Sequence, residues 1–187
     1  MACLGAARAA GPLDLTLRWL SSEGKVLDER SLSLADLDRL AQTQIDTTTP
    51  WTQGAQRFAG PSFAVLAGLA RVPTVEARVV ALNDYAATIP AEDWQMNGVI
   101  LATRLNGETM RVRDKGPYWV MYPIDQGALF GRQDYQSRMV WQVKSIDFSC
   151  AIGEPPVSSS SGSSSPAWFC SSPRGCSTCR RPASRRC

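Results

Sequence analysis

Leu13, Leu15, Leu17 and Trp19 alternate with Asp14, Thr16 and Arg18. A period of two over such a run is the mark of an extended strand with one buried face. Short runs of this type, separated by turn residues, recur as far as Phe148 and leave little length for helices. Ser22-Glu23-Gly24 marks a turn, and Val26 to Leu32 completes a hairpin. Ser33 with Asp36 three residues later makes a capping pair, which predicts a short helix turning Leu34, Leu37 and Ala41 inward. A strand is expected at Thr43 to Thr48, followed by a polar loop that leads to Phe58-Ala59-Gly60-Pro61.

Ser62 opens a second short helix with Phe63, Leu66, Leu69 and Ala70 on one side. Val75 to Leu82 reads as a strand, Asn83-Asp84-Tyr85 as an interruption, and Ala86 to Ile89 as its continuation. Pro90 starts a helical turn over Ala91 to Met96. Val99 to Leu105, Asn106-Gly107 and Thr109 to Val112 form the strongest hairpin signal, because Asn-Gly readily takes the left-handed geometry of a type I′ turn. Tyr118 to Tyr122 and Met139 to Phe148 supply the last strands. Short helices inserted among many strands predict an α+β domain with a mostly antiparallel or mixed sheet.

Composition divides the chain at the same place. Of its 20 basic and 17 acidic side chains, residues 149–187 hold five and one, which leaves 15 and 16 and a net charge of −1 for the rest. A near-neutral body with interspersed signs lacks the electrostatic footprint of a nucleic-acid binder. No apolar run is long enough to span a bilayer as a helix. Residues 149–187, with a Ser/Gly run from Ser158 to Ser165 and then Pro, Arg and Cys without periodicity, are expected to be a disordered tail. Their texture suits a shifted reading frame through GC-rich DNA, which resequencing the gene from Ser149 onward would test. Cys176-Ser177-Thr178-Cys179 has the spacing of half a zinc site, but a tetrahedral site needs a second pair and the chain contains no histidine. At the other end, Ala7-Arg8-Ala9 has the A-x-A spacing of a signal-peptidase site, so residues 1–10 read as the remnant of an export signal and the protein as periplasmic.

The body from 11 to 148 contains neither cysteine nor histidine. That excludes thiolate and imidazole metal ligation there, along with Ser-His-Asp and Cys-His catalysis. Neither a phosphate-cradling P-loop nor a dinucleotide fingerprint is present. A carboxylate pair drawn from Asp46, Asp84 and Asp114 stays open at this point.

Six segments carry a resemblance in their order and spacing: Thr47-Thr48-Thr49-Pro50-Trp51; Phe58-x-Gly60; Leu82-Asn83-Asp84-Tyr85 with Ile89-Pro90; Leu101-Ala102-Thr103 with Asn106-Gly107; Arg113-Asp114-Lys115-Gly116-Pro117; and Trp141-Gln142-Val143-Lys144-Ser145-Ile146. Together they make residues 13–148 resemble the molybdopterin-binding domain of the sulfite oxidase family, as found in small exported proteobacterial proteins. The resemblance implies a sulfite-oxidase-like fold and, in active members, molybdenum held by a cysteine just ahead of a tryptophan. Counting back from Trp51 places Thr47 at that position. The family's phosphate-gripping His/Asn-Gly-x-Pro-x-Arg segment corresponds to Lys115-Gly116-Pro117-Tyr118-Trp119, so its arginine is Trp119 here. The lysine expected before the late tryptophan falls on Val140, with Arg138 near. Arg111, Arg113, Lys115, Arg138 and Lys144 are the cations left to hold a phosphate.

The candidate ligand-binding residues are therefore Thr47, Thr48, Trp51, Asn83, Asp84, Tyr85, Arg113, Lys115, Tyr118, Trp119 and Arg138, with no metal ligand among them. Each also has a plainer reading: a β-branched strand end, a core tryptophan, an Asx turn, a solvated loop charge. Tyr118, Trp119, Tyr122 and Trp141 lie at strand spacing, so alternate members are expected to face opposite ways. Two functions follow. One is an extracytoplasmic, non-redox module whose pocket, walled by Trp51, Tyr85, Tyr118 and Trp119, takes a small ligand or a periplasmic protein partner. The other is a molybdenum-cofactor oxidoreductase in which oxygen ligands hold the metal and Arg113, Lys115 and Arg138 grip the phosphate. The first is preferred because the thiolate is missing, and no cofactor is expected.

Overall fold

The computed structural model describes residues 11, 13–125 and 133–151. The expectations for residues 1–10 and for the tail from residue 152 onward, including the Cys176–Cys179 pair, lie outside the described residues. What is described is an α+β domain of mixed, mostly antiparallel sheets with a few short helices.

The largest sheet has five strands: β1 (Leu15–Leu20), β2 (Val26–Leu32), β5 (Thr74–Ala81), β6 (Ala86–Pro90) and β11 (Val143–Cys150), in the order β2-β1-β11-β5-β6. Only the β1–β11 pair is parallel. The alternation seen in the sequence is kept in β1, where Leu15, Leu17 and Trp19 are completely buried. Burying each such side chain is worth about 1.5–3 kcal/mol. Leu13, expected to join them, lies before the strand and is 49% exposed, because no neighbouring strand reaches that far. β11 runs on to Cys150, beyond the expected end at Phe148, and Cys150 is itself buried. Within this central strand Asp147 is 6% exposed, and Arg18 on β1 holds it with two hydrogen bonds of 2.7 and 2.9 Å.

A four-stranded sheet has the order β3-β4-β8-β9, formed by β3 (Gln42–Thr47), β4 (Gln56–Pro61), β8 (Arg104–Leu105) and β9 (Glu108–Thr109). β7 (Ile100–Ala102) pairs instead with β10 (Trp119–Met121). The long hairpin expected across Asn106-Gly107 is thus two residues deep on each side. Its turn has the anticipated geometry, with φ of 51° and 88° at Asn106 and Gly107. Its first arm is taken over by β10, and Val112–Asp114 form a 3-10 turn rather than strand. β4 lies so close beside β7 that a Cβ added to Gly60 would lie 1.9 Å from the Leu101 carbonyl oxygen. The contact leaves room only for glycine at position 60.

The helices are short. α1 (Leu34–Asp38) has the capping box read from Ser33 and Asp36, with both reciprocal bonds made. It buries Leu37 but stops before Ala41, which is exposed at the approach to β3. α2 (Phe63–Ala67) is capped by Ser62 and buries Phe63 and Leu66, while Leu69 and Ala70 sit in a following 3-10 turn. α3 (Ala91–Met96) starts after Pro90, as expected. α4 (Gln133–Arg138) has no counterpart in the sequence reading.

Candidate functional site

Trp51, in the loop after β3, packs edge-on against Trp141 with ring centroids 5.1 Å apart, and lies 6.1 Å from the ring of Trp119. It is half-buried against the core, so the pocket-wall and core readings hold together for this residue. Beside the Trp51–Trp141 pair is a cavity of about 340 Å³. Its buried side is made by Ala81, Met139 and Val140. Its outer side is made by Asn83 and Tyr85 from the β5–β6 turn and by Gln136 and Ser137 from α4.

The two outer walls are latched to each other and to the sheet. The Tyr85 hydroxyl donates to the Ser137 carbonyl at 2.8 Å. Asp84, with φ of 63°, is hydrogen-bonded by the Lys144 ammonium from β11. That bond holds the Asp84 carboxyl below the usual carboxylate range. Asn83 closes an Asx turn by accepting the Tyr85 N–H at 3.2 Å. The wall bearing Gln136 and Met139 is anchored from behind. Arg138 donates to Asp93 on α3 at 2.7 Å, and the Tyr122 hydroxyl donates to the same oxygen at 2.8 Å. Asp93 is 5% exposed, so the guanidinium is committed to a buried carboxylate.

Of the eleven residues singled out, the structure brings Trp51, Asn83 and Tyr85 to the cavity, with Asp84 braced behind the last two. Tyr118 and Trp119 are not there. Both are 1% exposed, since β10 and its flanks are covered on both faces and alternation does not separate inside from outside. Burial pushes the Tyr118 phenol up to about 12. The Trp119 indole donates to the Met139 carbonyl at 3.2 Å, so it supports the cavity from below rather than walling it. Thr47 is completely buried, and among the described residues its hydroxyl reaches only the Thr48 carbonyl, at 3.3 Å. Thr48 turns the other way, donating through its N–H and hydroxyl to Asp125 at 2.6 Å each.

The cations do not converge. Arg113 is exposed and nearest to Asp114, which Arg111 also holds. Lys115 stands over the Trp119 ring at 5.8 Å, Lys144 is bound to Asp84, and Arg138 is bound to Asp93. Asp46, Asp84 and Asp114 do not form the carboxylate pair left open by the sequence: each serves a different cation, namely Arg57, Lys144 and Arg111. Among the described residues no three His, Cys, Asp or Glu side chains come together as a metal site. The described cysteine, Cys150, lies at the opposite end of β11, roughly 23 Å along the strand from Val143 at a rise of about 3.3 Å per residue. Burial raises its thiol pKa, which keeps it protonated.

The sequence reading missed Ala81, Gln136, Ser137, Met139 and Val140, and placed Trp141 among strand aromatics without assigning it to a site. The stretch Gln133 to Arg138 is polar without helical periodicity, so nothing in it announced a helix at a cavity rim. No protein-family model matches the chain, and no curated protein matches it significantly. Among the described residues no helix is long and apolar enough to cross a membrane.

Proposed function

We propose that this domain is a non-redox, extracytoplasmic binding module built on the sulfite-oxidase-like molybdopterin-binding fold, and that the cavity beside Trp51 and Trp141 is where it takes a small ligand. The six-segment resemblance supports the fold, and the A-x-A spacing at Ala7-Arg8-Ala9 supports export. One observation carries the functional reading. The residues that would hold a molybdenum cofactor are used for other purposes, while a cavity lies beside Trp51 and Trp141.

The donor set does not fit that cofactor. Molybdenum in this family takes a soft anionic sulfur, and Thr47 offers a buried neutral hydroxyl already turned to a neighbouring carbonyl. A cofactor phosphate needs several cations meeting at one place. Arg138 and Lys144 are spent on Asp93 and Asp84, and Arg113 and Lys115 lie apart on the loop around Asp114. No redox step is assigned to the protein. Its residues instead form a cavity whose outer walls are tied together by the Tyr85 hydroxyl and the Ser137 carbonyl, an arrangement suited to holding a small molecule.

Protein purified from its native host and assayed for molybdenum and extractable pterin should contain neither in stoichiometric amount. One molybdenum and one pterin per chain would contradict the proposal in favour of an oxidoreductase.

A further inference from the structure

Resting on the reading of this cavity as a ligand site, we infer that its ligand is a small, flat, uncharged aromatic or heteroaromatic molecule whose edge carries hydrogen-bond acceptors such as ring carbonyls.

Size comes first. At about 340 Å³ the cavity is at the small end of the range for ligand sites, roughly 300–1,000 Å³, which suits one to three fused rings. Shape follows from the two indoles. Trp51 and Trp141 meet edge to face, and Met139 adds a polarisable thioether beside them, so the walls favour a flat π-surface.

Charge is decided by what is absent from the lining. Among the described residues no charged side chain lines the cavity. The nearest charges along the chain, Asp84 and Arg138, are neutralised by Lys144 and Asp93. An ionised ligand would lose its hydration without gaining a counter-charge, a strongly unfavourable exchange.

The hydrogen-bonding edge follows from the donors that remain. The indole N–H groups of Trp19 and Trp119 are satisfied by the carbonyls of Ala67 and Met139, at 3.0 and 3.2 Å. Those of Trp51 and Trp141 have no acceptor among the described residues. Asn83 uses its oxygen on Tyr85 N–H and keeps its amide donors, and the Gln136 amide has no partner among the described residues. Tyr85 spends its own proton on Ser137 and can only accept. Trp51, Trp141, Asn83 and Gln136 thus each keep an N–H donor without an acceptor among the described residues, and a ligand with acceptors along its edge can use them.

Coumarin, a fused two-ring lactone without charge, is a suitable probe, and its carboxylate derivative is the charged counterpart. Isothermal titration of the full chain should show one saturable site for coumarin, with the carboxylate at least about tenfold weaker for want of a counter-charge. Gln136→Ala, at a half-exposed position, should weaken coumarin by about three- to tenfold through loss of a hydrogen bond. Trp141→Ala should abolish binding, and circular dichroism of both variants reports whether the fold persists. Equal or tighter binding of the carboxylate would overturn the inferred ligand class and leave the binding module intact. If neither probe binds, the inferred class is again overturned. Native mass spectrometry of protein from its native host then separates the two ideas: a co-purified molecule preserves the module, and an empty chain removes both.

Discussion

Arg138 shows how one residue's partner decides its role. By position it is a candidate phosphate ligand, but its guanidinium reaches Asp93, which also receives the Tyr122 hydroxyl. The pair is unequal in exposure, with side chains 30% and 7% accessible for Arg138 and Asp93. Removing the arginine leaves a buried carboxylate with one neutral donor. Arg138→Ala should therefore lower stability by about 2–3 kcal/mol, toward the low side for a broken buried pair because solvent screens the guanidinium. Urea unfolding of the two proteins measures this, and a change below half a kcal/mol would show Arg138 to be free for a ligand. Thr47 and Thr48 show the same dependence on local geometry: adjacent hydroxyls in one tripeptide, one sealed inside and one bound to Asp125.

Among the elements, β4 and β7 are fixed by a contact that leaves no room for a side chain. Gly60→Ala would drive a methyl into the Leu101 carbonyl, and backbone cannot move aside as a flexible side chain can. A loss of about 3 kcal/mol or more is expected, read as a fall in the urea midpoint. The elements that follow a simple period were legible in the sequence. β1, β2, β5 and β6 were found by alternation and turn residues, and α1 and α2 by their serine caps. β4 was not, because Gly60 and Pro61 disguise a strand whose sequence is set by a close backbone approach rather than by a face. α4 was not, because its stability comes from Arg138 reaching α3 and from Tyr85 reaching Ser137, both distant in sequence. The site was half legible for the same reason. Trp51, Asn83 and Tyr85 stand out as residue types, whereas Gln136, Met139 and Val140 belong to the cavity only through the fold.

Across the whole domain, burial of two phenols sets the alkaline limit. Tyr118 is pushed up to about 12, mainly by desolvation, and Tyr122 is raised further by desolvation and by the Asp93 carboxylate. An unfolded tyrosine ionises near 10. Above that pH the unfolded chain releases protons that the folded chain retains, so stability must fall as pH rises. The contribution is full below about 10, and the part due to Tyr118 is spent by about 12. Urea midpoints should thus decline steeply above pH 10, and Tyr122→Phe should flatten the decline while costing about 1 kcal/mol at neutral pH through the lost bond to Asp93. An unchanged slope in the variant would show that Tyr122 ionises in place.

The proposed function requires that this α+β domain lack the means to hold molybdenum. X-ray absorption at the molybdenum edge, on protein made in a host that synthesises the cofactor, tests it most directly. The account predicts no edge signal above that of the buffer. A stoichiometric edge whose fine structure contains a ligand from this polypeptide would contradict it.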